Sequence, residues 1–196
     1  VWEPEHGTEI IVVPLATPQK PIRFTVPAFY QWHFVNGWEE SDGTLAVDLI
    51  AYDDFSSNDW YGRAPYDVLG PHPPARYSRA RLDLAARTMD VEILDETPHE
   101  FPAIHPHAAG SRHTKAWMLS FDTLPPSLGC FEPATRTWRS VPFAPHSVPS
   151  EPVVVPRADH ADGWVLSLVY DGARDASYVA VIDGARANVT RQCQQY

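Results

Sequence analysis

Gly163-Trp164-Val165-Leu166-Ser167-Leu168-Val169-Tyr170, followed beyond Asp171-Gly172 by Ser177-Tyr178-Val179-Ala180-Val181-Ile182-Asp183, is the stretch that decides the fold. Both runs are short and rich in β-branched and aromatic residues, and Asp-Gly between them supplies turn chemistry, because Gly takes a positive φ and Asp bonds its own backbone. Working outward, comparable runs stand near residues 9–15, 29–36, 44–52, 76–84, 88–94, 113–121, 127–132, 136–141 and 152–156. Phe131-Glu132-Pro133-Ala134-Thr135-Arg136-Thr137-Trp138 reads as strand, tight turn, strand, with Pro at the turn position its fixed φ suits. The spacing fits four-stranded propeller blades, with about three blades visible and their first and last sheets left with uncovered apolar faces. Residues 56–74, 97–112 and 141–150 are expected to be surface loops. No sustained helical period appears anywhere.

Composition agrees with an all-β chain. The 196 residues include 20 prolines and 10 glycines, and prolines spread this evenly break helices and punctuate sheets. Hydrophobic residues make up 44% and aromatic residues 12%, so most of the chain can bury a core and is not disordered. With 15 Lys+Arg against 25 Asp+Glu the formal net charge is −10. No nucleic-acid partner is expected, because neutralising phosphates needs clustered cations. The apolar runs are far shorter than the roughly 20 residues of a membrane-spanning helix, and no secretory signal is visible. Cys130 and Cys193 sit in unrelated contexts, giving neither a disulfide framework nor a CxxC metal site. A cytoplasmic or peripheral-membrane setting is the expectation.

Chemistry enters at Phe29-Tyr30-Gln31-Trp32-His33-Phe34-Val35-Asn36-Gly37-Trp38-Glu39-Glu40. On a regular strand residues 29, 31, 33 and 35 share one face, which turns His33 away from Trp32 and Phe34. Two readings of His33 stand on this strand alone: a half-buried histidine bonded to backbone, or a metal ligand. His33-Phe34-Val35-Asn36-Gly37-Trp38-Glu39-Glu40 resembles the His-x-x-Asn-Ala-Trp/Tyr-Glu-Glu motif of the carotenoid oxygenases, the carotenoid- and stilbene-cleaving dioxygenases that also include the retinoid isomerase of the eye. Glu100-Phe101-Pro102-Ala103-Ile104-His105-Pro106 is similar to that family's Glu-Phe-Pro-x-Ile-Asn. Ser150-Glu151-Pro152-Val153-Val154-Val155-Pro156-Arg157 is similar to its Glu-Pro-x-Phe-Val-Pro-Arg, and the run from Asp162 to Tyr170 is similar to the family's next strand.

The resemblance covers most of residues 1–187. It implies a seven-bladed β-propeller, of which this chain would form about the three C-terminal blades, with one Fe(2+) held on the axis by four histidines. It also implies cleavage of an electron-rich C=C double bond in a carotenoid, apocarotenoid or stilbene-like substrate by dioxygen, with peripheral membrane contact in the intact parent. His33 falls on the family's third iron-ligating histidine. Glu100 and Glu151 fall on glutamates that accept the distal N–H of ligating imidazoles, and losing such a partner typically costs about 10–100-fold in metal affinity or activity. Without the resemblance, both read as solvated or turn-capping carboxylates.

The chain also departs from the pattern. The segments that carry the other three histidine ligands are not found in it, so a chain with one such imidazole is expected to hold iron poorly and to be inactive alone. Residues 188–196 resemble nothing in the family and are expected to form a divergent, disordered tail. His105 stands where the family has Asn. His99, His105, His107 and His113 read as exposed loop residues, and His6, His72, His146 and His160 as surface residues. Trp32, Trp38, Trp60, Trp117, Trp138 and Trp164 read as core or blade-face residues, with a substrate-facing loop as the alternative for Trp60. The competing reading is a non-catalytic propeller-like interaction module, for which absent ligands are no loss.

Overall fold

The computed structural model describes residues 2–63, 66, 70–158 and 160–194, and the fold is all-β. A short hairpin of β1 (Thr8–Val12) and β2 (Ile22–Val26) precedes three larger antiparallel sheets. The first is the meander β3 (Tyr30–Glu39), β4 (Leu45–Tyr52), β5 (Arg76–Asp83) and β6 (Thr88–Asp95). The second runs β7 (His99–Ala103), β8 (Ala116–Ser120), β9 (Ser127–Glu132) and β10 (Thr137–Ser140). In the third, β13 (His160–Asp171), β14 (Ala176–Asp183) and β15 (Asn188–Gln194) lie in order, while β11 (Ser147–Pro149) and β12 (Val153–Arg157) share the other edge of β13. Consecutive meanders packed face to face are the blades of a partial β-propeller.

Side-chain alternation builds the layers between sheets. On β8, Ala116 and Met118 enter the core shared with the first sheet, beside Ile50, Tyr77 and Phe131. Trp117 and Leu119, one residue out of phase, enter the core shared with the third sheet, beside Val165, Val169, Tyr178, Ala180 and Ile182. The second sheet is therefore buried on both faces, as the all-buried pattern of β8 shows. The outer face of the first sheet receives the β1–β2 hairpin through Leu49, Ala80 and Leu82, packed against Ile10, Val12 and Phe24. On the far face of the third sheet Val148, Val153, Leu168 and Tyr170 stand exposed.

Several outer hairpins repeat one device. Asp83, Asp171 and Asp183 each accept backbone N–H groups two or three residues ahead. The matching turns close on residues with positive φ, Arg87 at 57°, Asp175 at 49° and Ala187 at 52°. A left-handed L-residue is costly and Gly relieves that cost at some entropic expense, so Arg87→Gly is expected to stabilise the fold by roughly 0.5–1 kcal/mol in urea unfolding.

Several expectations need correction, and the expected loops over 97–112 and 141–150 contain the strands β7 and β11, formed by backbone pairing with β8 and β13. Residues 56–63 form a helix, α1 (Ser56–Arg63), rather than a loop. The Asp54 carboxylate accepts the Ser56 N–H at 2.9 Å to start it, and Trp60 anchors it in the core with Nε1 donating to the Gly70 carbonyl. Trp60 is therefore a core residue, the first of its two readings, and not one on a substrate-facing loop. Residues 188–194 form β15, paired along β14, rather than a tail. His72, His99 and His113 are buried, with 5%, 0% and 4% exposure, not surface residues. The side chain of His160 lies outside the described residues.

Candidate functional site

β3 does not run as a regular strand. Its pairing with β4 slips between Gln31 and Phe34 and again between Phe34 and Asn36, so alternation breaks at the position that matters. Trp32 and His33, expected on opposite faces, instead line one cavity of about 470 Å3 together with Asn58, Tyr61, Glu100 and Phe101. Trp32 is held there by its Nε1, which donates to Ser57 Oγ at 3.0 Å.

Glu100 arrives from the adjacent sheet, on β7, which packs beside β3. β7 is itself irregular: its pairing with β8 shifts between Glu100 and Ala103, and Phe101 takes a φ of 59°. A bulky residue in that region is strained and is found mostly at functional sites. Pro102 has no N–H to give to a ladder, which suits a bulge. The distortion lets Glu100 and Phe101 face the same cavity.

His33 Nδ1 stands 2.6 Å from Glu100 Oε2. The carboxylate is fully buried, whereas the imidazole keeps 35% of its side-chain exposure. Donor bookkeeping places the proton on Nδ1, because an ionised carboxylate only accepts, and leaves Nε2 with a free lone pair. The bond to Glu100 raises the His33 pKa above its ordinary value, with Glu100 and Glu151 charge adding and burial opposing. Glu151 lies exposed just before β12 and acts on His33 by charge, without a hydrogen bond to it among the described residues. Of the two glutamates singled out in the sequence, one touches His33 and the other acts at a distance.

Sequence reasoning missed the supports around this pair. The Tyr52 hydroxyl donates to Glu100 Oε1, and Tyr61 Oη lies 3.0 Å from His72 Nε2. A second buried network braces β3 from behind. Arg79 grips both oxygens of Asp48, at 2.7 and 2.8 Å, while Tyr77 donates to Asp48 at 2.9 Å and lies 2.8 Å from His113 Nε2. Asn36, three residues beyond His33, donates to the carbonyls of Ala108 and Ser111 at 3.0 and 2.7 Å and accepts the Gly110 N–H at 3.2 Å. Partners so distant in sequence leave no local pattern to read.

Among the described residues the other histidines do not converge on His33. His99 Nε2 pairs with Asp95 at 3.0 Å, and His105 and His107 sit with ring centroids 5.0 Å apart. Among the described residues, no group of three or more His, Cys, Asp or Glu side chains is arranged to hold a metal ion.

Burial lowers the pKa of both His72 and His113. Their contribution is complete above the unfolded value of about 6.5 and is lost as pH falls below it, because the unfolded chain takes the protons more readily. His33, raised, runs the other way: its contribution is complete below that value and fades as pH rises through its folded pKa. Stability is expected to drop on acidification, and His113→Gln to flatten that drop in urea titrations; an unchanged slope would contradict the assignment.

An imidazole backed by a buried carboxylate, set on the first strands of adjacent propeller sheets and facing an aromatic cavity, places the chain in the carotenoid oxygenase class whose motifs it carries. The profile of the family described as retinal pigment epithelial membrane protein matches residues 1–194, and the chain belongs to that family. It is 29% identical over 192 residues to the apocarotenoid-15,15'-oxygenase of Synechocystis, covering 93% of this chain and 38% of that protein. It is also 29% identical over 206 residues to the isoeugenol monooxygenase of Pseudomonas putida, covering 93% and 42%. The crystal structure of cobalt-substituted Synechocystis apocarotenoid oxygenase superposes with a TM-score of 0.82 at 25% identity, covering 98% of this chain and 42% of that one. The chain thus spans about two fifths of the length of these relatives. Among the described residues no helix is long and apolar enough to cross a membrane.

Proposed function

We propose that this polypeptide supplies one histidine and its supporting carboxylates to a non-haem Fe(2+) centre, where dioxygen cleaves a C=C double bond of a carotenoid, apocarotenoid or stilbene-like substrate. The observation that carries the reading is the 2.6 Å contact between His33 Nδ1 and Glu100, which leaves Nε2 as the nitrogen offered to the cavity. That donor set suits ferrous iron: a neutral imidazole with its distal N–H held by a carboxylate is the usual form of a histidine ligand. When bound, the ferrous ion supplies the redox chemistry that lets dioxygen react with an alkene.

The chain's own residues set the surroundings. Glu100 holds the His33 proton on Nδ1, and the exposed Glu151 lends negative charge at longer range. Trp32, Tyr61 and Phe101 give the cavity flat aromatic walls, which fit a conjugated apolar chain better than a polar substrate. The remaining ligands would come from polypeptide outside this sequence, since affinity for iron needs several donors placed together.

The test is to add Fe(2+) anaerobically to the 196-residue chain, desalt it, and measure retained iron and bleaching of a coloured carotenoid. Retention far below one iron per chain and no bleaching are expected. Stoichiometric iron with turnover would contradict the reliance on further ligands.

A further inference from the structure

Glu100 is a buried carboxylate with no Lys or Arg paired to it among the described residues. Asp48, by contrast, is held at both oxygens by Arg79. Among the described residues the donors to Glu100 are His33 Nδ1–H and the Phe101 N–H at Oε2, and the Tyr52 hydroxyl alone at Oε1. Tyr52 is 2% exposed and ends β4, pairing with Tyr30 on β3, and its hydroxyl crosses from the first sheet to β7 of the second. Tyr61 lies beside Tyr52 and bonds to it and to His72 rather than to Glu100. His72 Nδ1–H is committed to the Pro73 carbonyl at 2.7 Å, so its Nε2 accepts the one Tyr61 proton.

We infer that Tyr52 is a positioning residue for the His33–Glu100 pair. By occupying Oε1 it keeps Oε2 turned to Nδ1, which fixes His33 as the Nδ1–H tautomer with Nε2 bare toward the cavity. The hydrogen bonding itself needs no metal; the inference rests on the proposed function only where Nε2 is taken as a ligand nitrogen for iron.

The experiment labels histidine with 15N in the full chain and reads the His33 tautomer by long-range 15N–1H correlation, metal-free and in mildly alkaline buffer. Wild type is expected to show the Nδ1–H pattern. In Tyr52→Phe the Nε2–H form is expected to rise roughly tenfold, because Glu100, freed at Oε1, can turn away from Nδ1 and so weaken the bond to a charged group that holds the tautomer. Tyr178→Phe is the control, since Tyr178 is also buried but lies on β14 of the third sheet, outside both hydrogen-bond networks described above; it should leave the His33 pattern unchanged. A folded Tyr52→Phe chain with the wild-type pattern, or the same change in Tyr178→Phe, overturns the inference. If Tyr52→Phe does not fold, trifluorotyrosine at position 52 keeps the shape with a stronger donor, and an unmoved His33 Nδ1 resonance overturns it equally. A tautomer that depends on Tyr52 in a chain whose His33 never meets metal would uphold the inference and sink the proposed function, so the two fail separately.

Discussion

Replacing Arg79 by methionine is expected to cost the fold about 3–5 kcal/mol, because it strands a buried charge. Asp48 is 0% exposed, and the guanidinium that grips both its oxygens also lies 4.9 Å over the Trp38 ring. With the guanidinium gone, Tyr77 remains as a donor and His113 Nε2 lies 3.4 Å from the same carboxylate, and methionine restores packing but not charge. Replacing Asp48 by leucine in the same chain should recover most of the loss, since a buried pair exchanged for apolar residues is often neutral. Urea unfolding reads both variants. A loss below about 1 kcal/mol for Arg79→Met would place Asp48 in solvent rather than in the core. The outcome bears on the site, because this network sits behind β3, the strand that carries His33.

Glu100→Leu is expected to cost about 3 kcal/mol, because two buried donors, the Tyr52 hydroxyl and the Phe101 N–H, lose their acceptor at about 1–3 kcal/mol each. The same change removes the largest cause that raises the His33 pKa, leaving burial to pull it down. NMR titration should therefore show His33 falling to or below its ordinary value. A near-neutral effect on stability, together with a His33 pKa still raised, would mean that the carboxylate does not hold the ring.

The sheets were legible because period-two alternation is local. Val165 and Val169 enter the core while Leu168 and Tyr170 face outward, as a strand reading of that run requires. The helix α1 escaped because eight residues started by the carboxylate of Asp54 carry too few apolar positions to show a period. β15 escaped because its pairing with β14 is a backbone ladder that little in its polar sequence announces. His33 and Glu100 could be named from motif resemblance, yet their meeting could not be read locally. His33 reaches the cavity through two slips in β3 and Glu100 through a strained Phe101, and alternation alone predicts the opposite face. His72 and His113 looked like loop residues because their partners, Tyr61 and Tyr77, sit on elements that sequence spacing does not bring together.

The most direct test of the central claim, that His33 offers Nε2 to a metal at the cavity shared by β3 and β7, is paramagnetic Co(2+) titrated into the 15N-labelled chain. Backbone signals of residues 32–34, 58, 100 and 101 should broaden first, and His33→Gln should abolish that broadening. Broadening centred on His105 and His107, with residues 32–34 untouched, would contradict the claim.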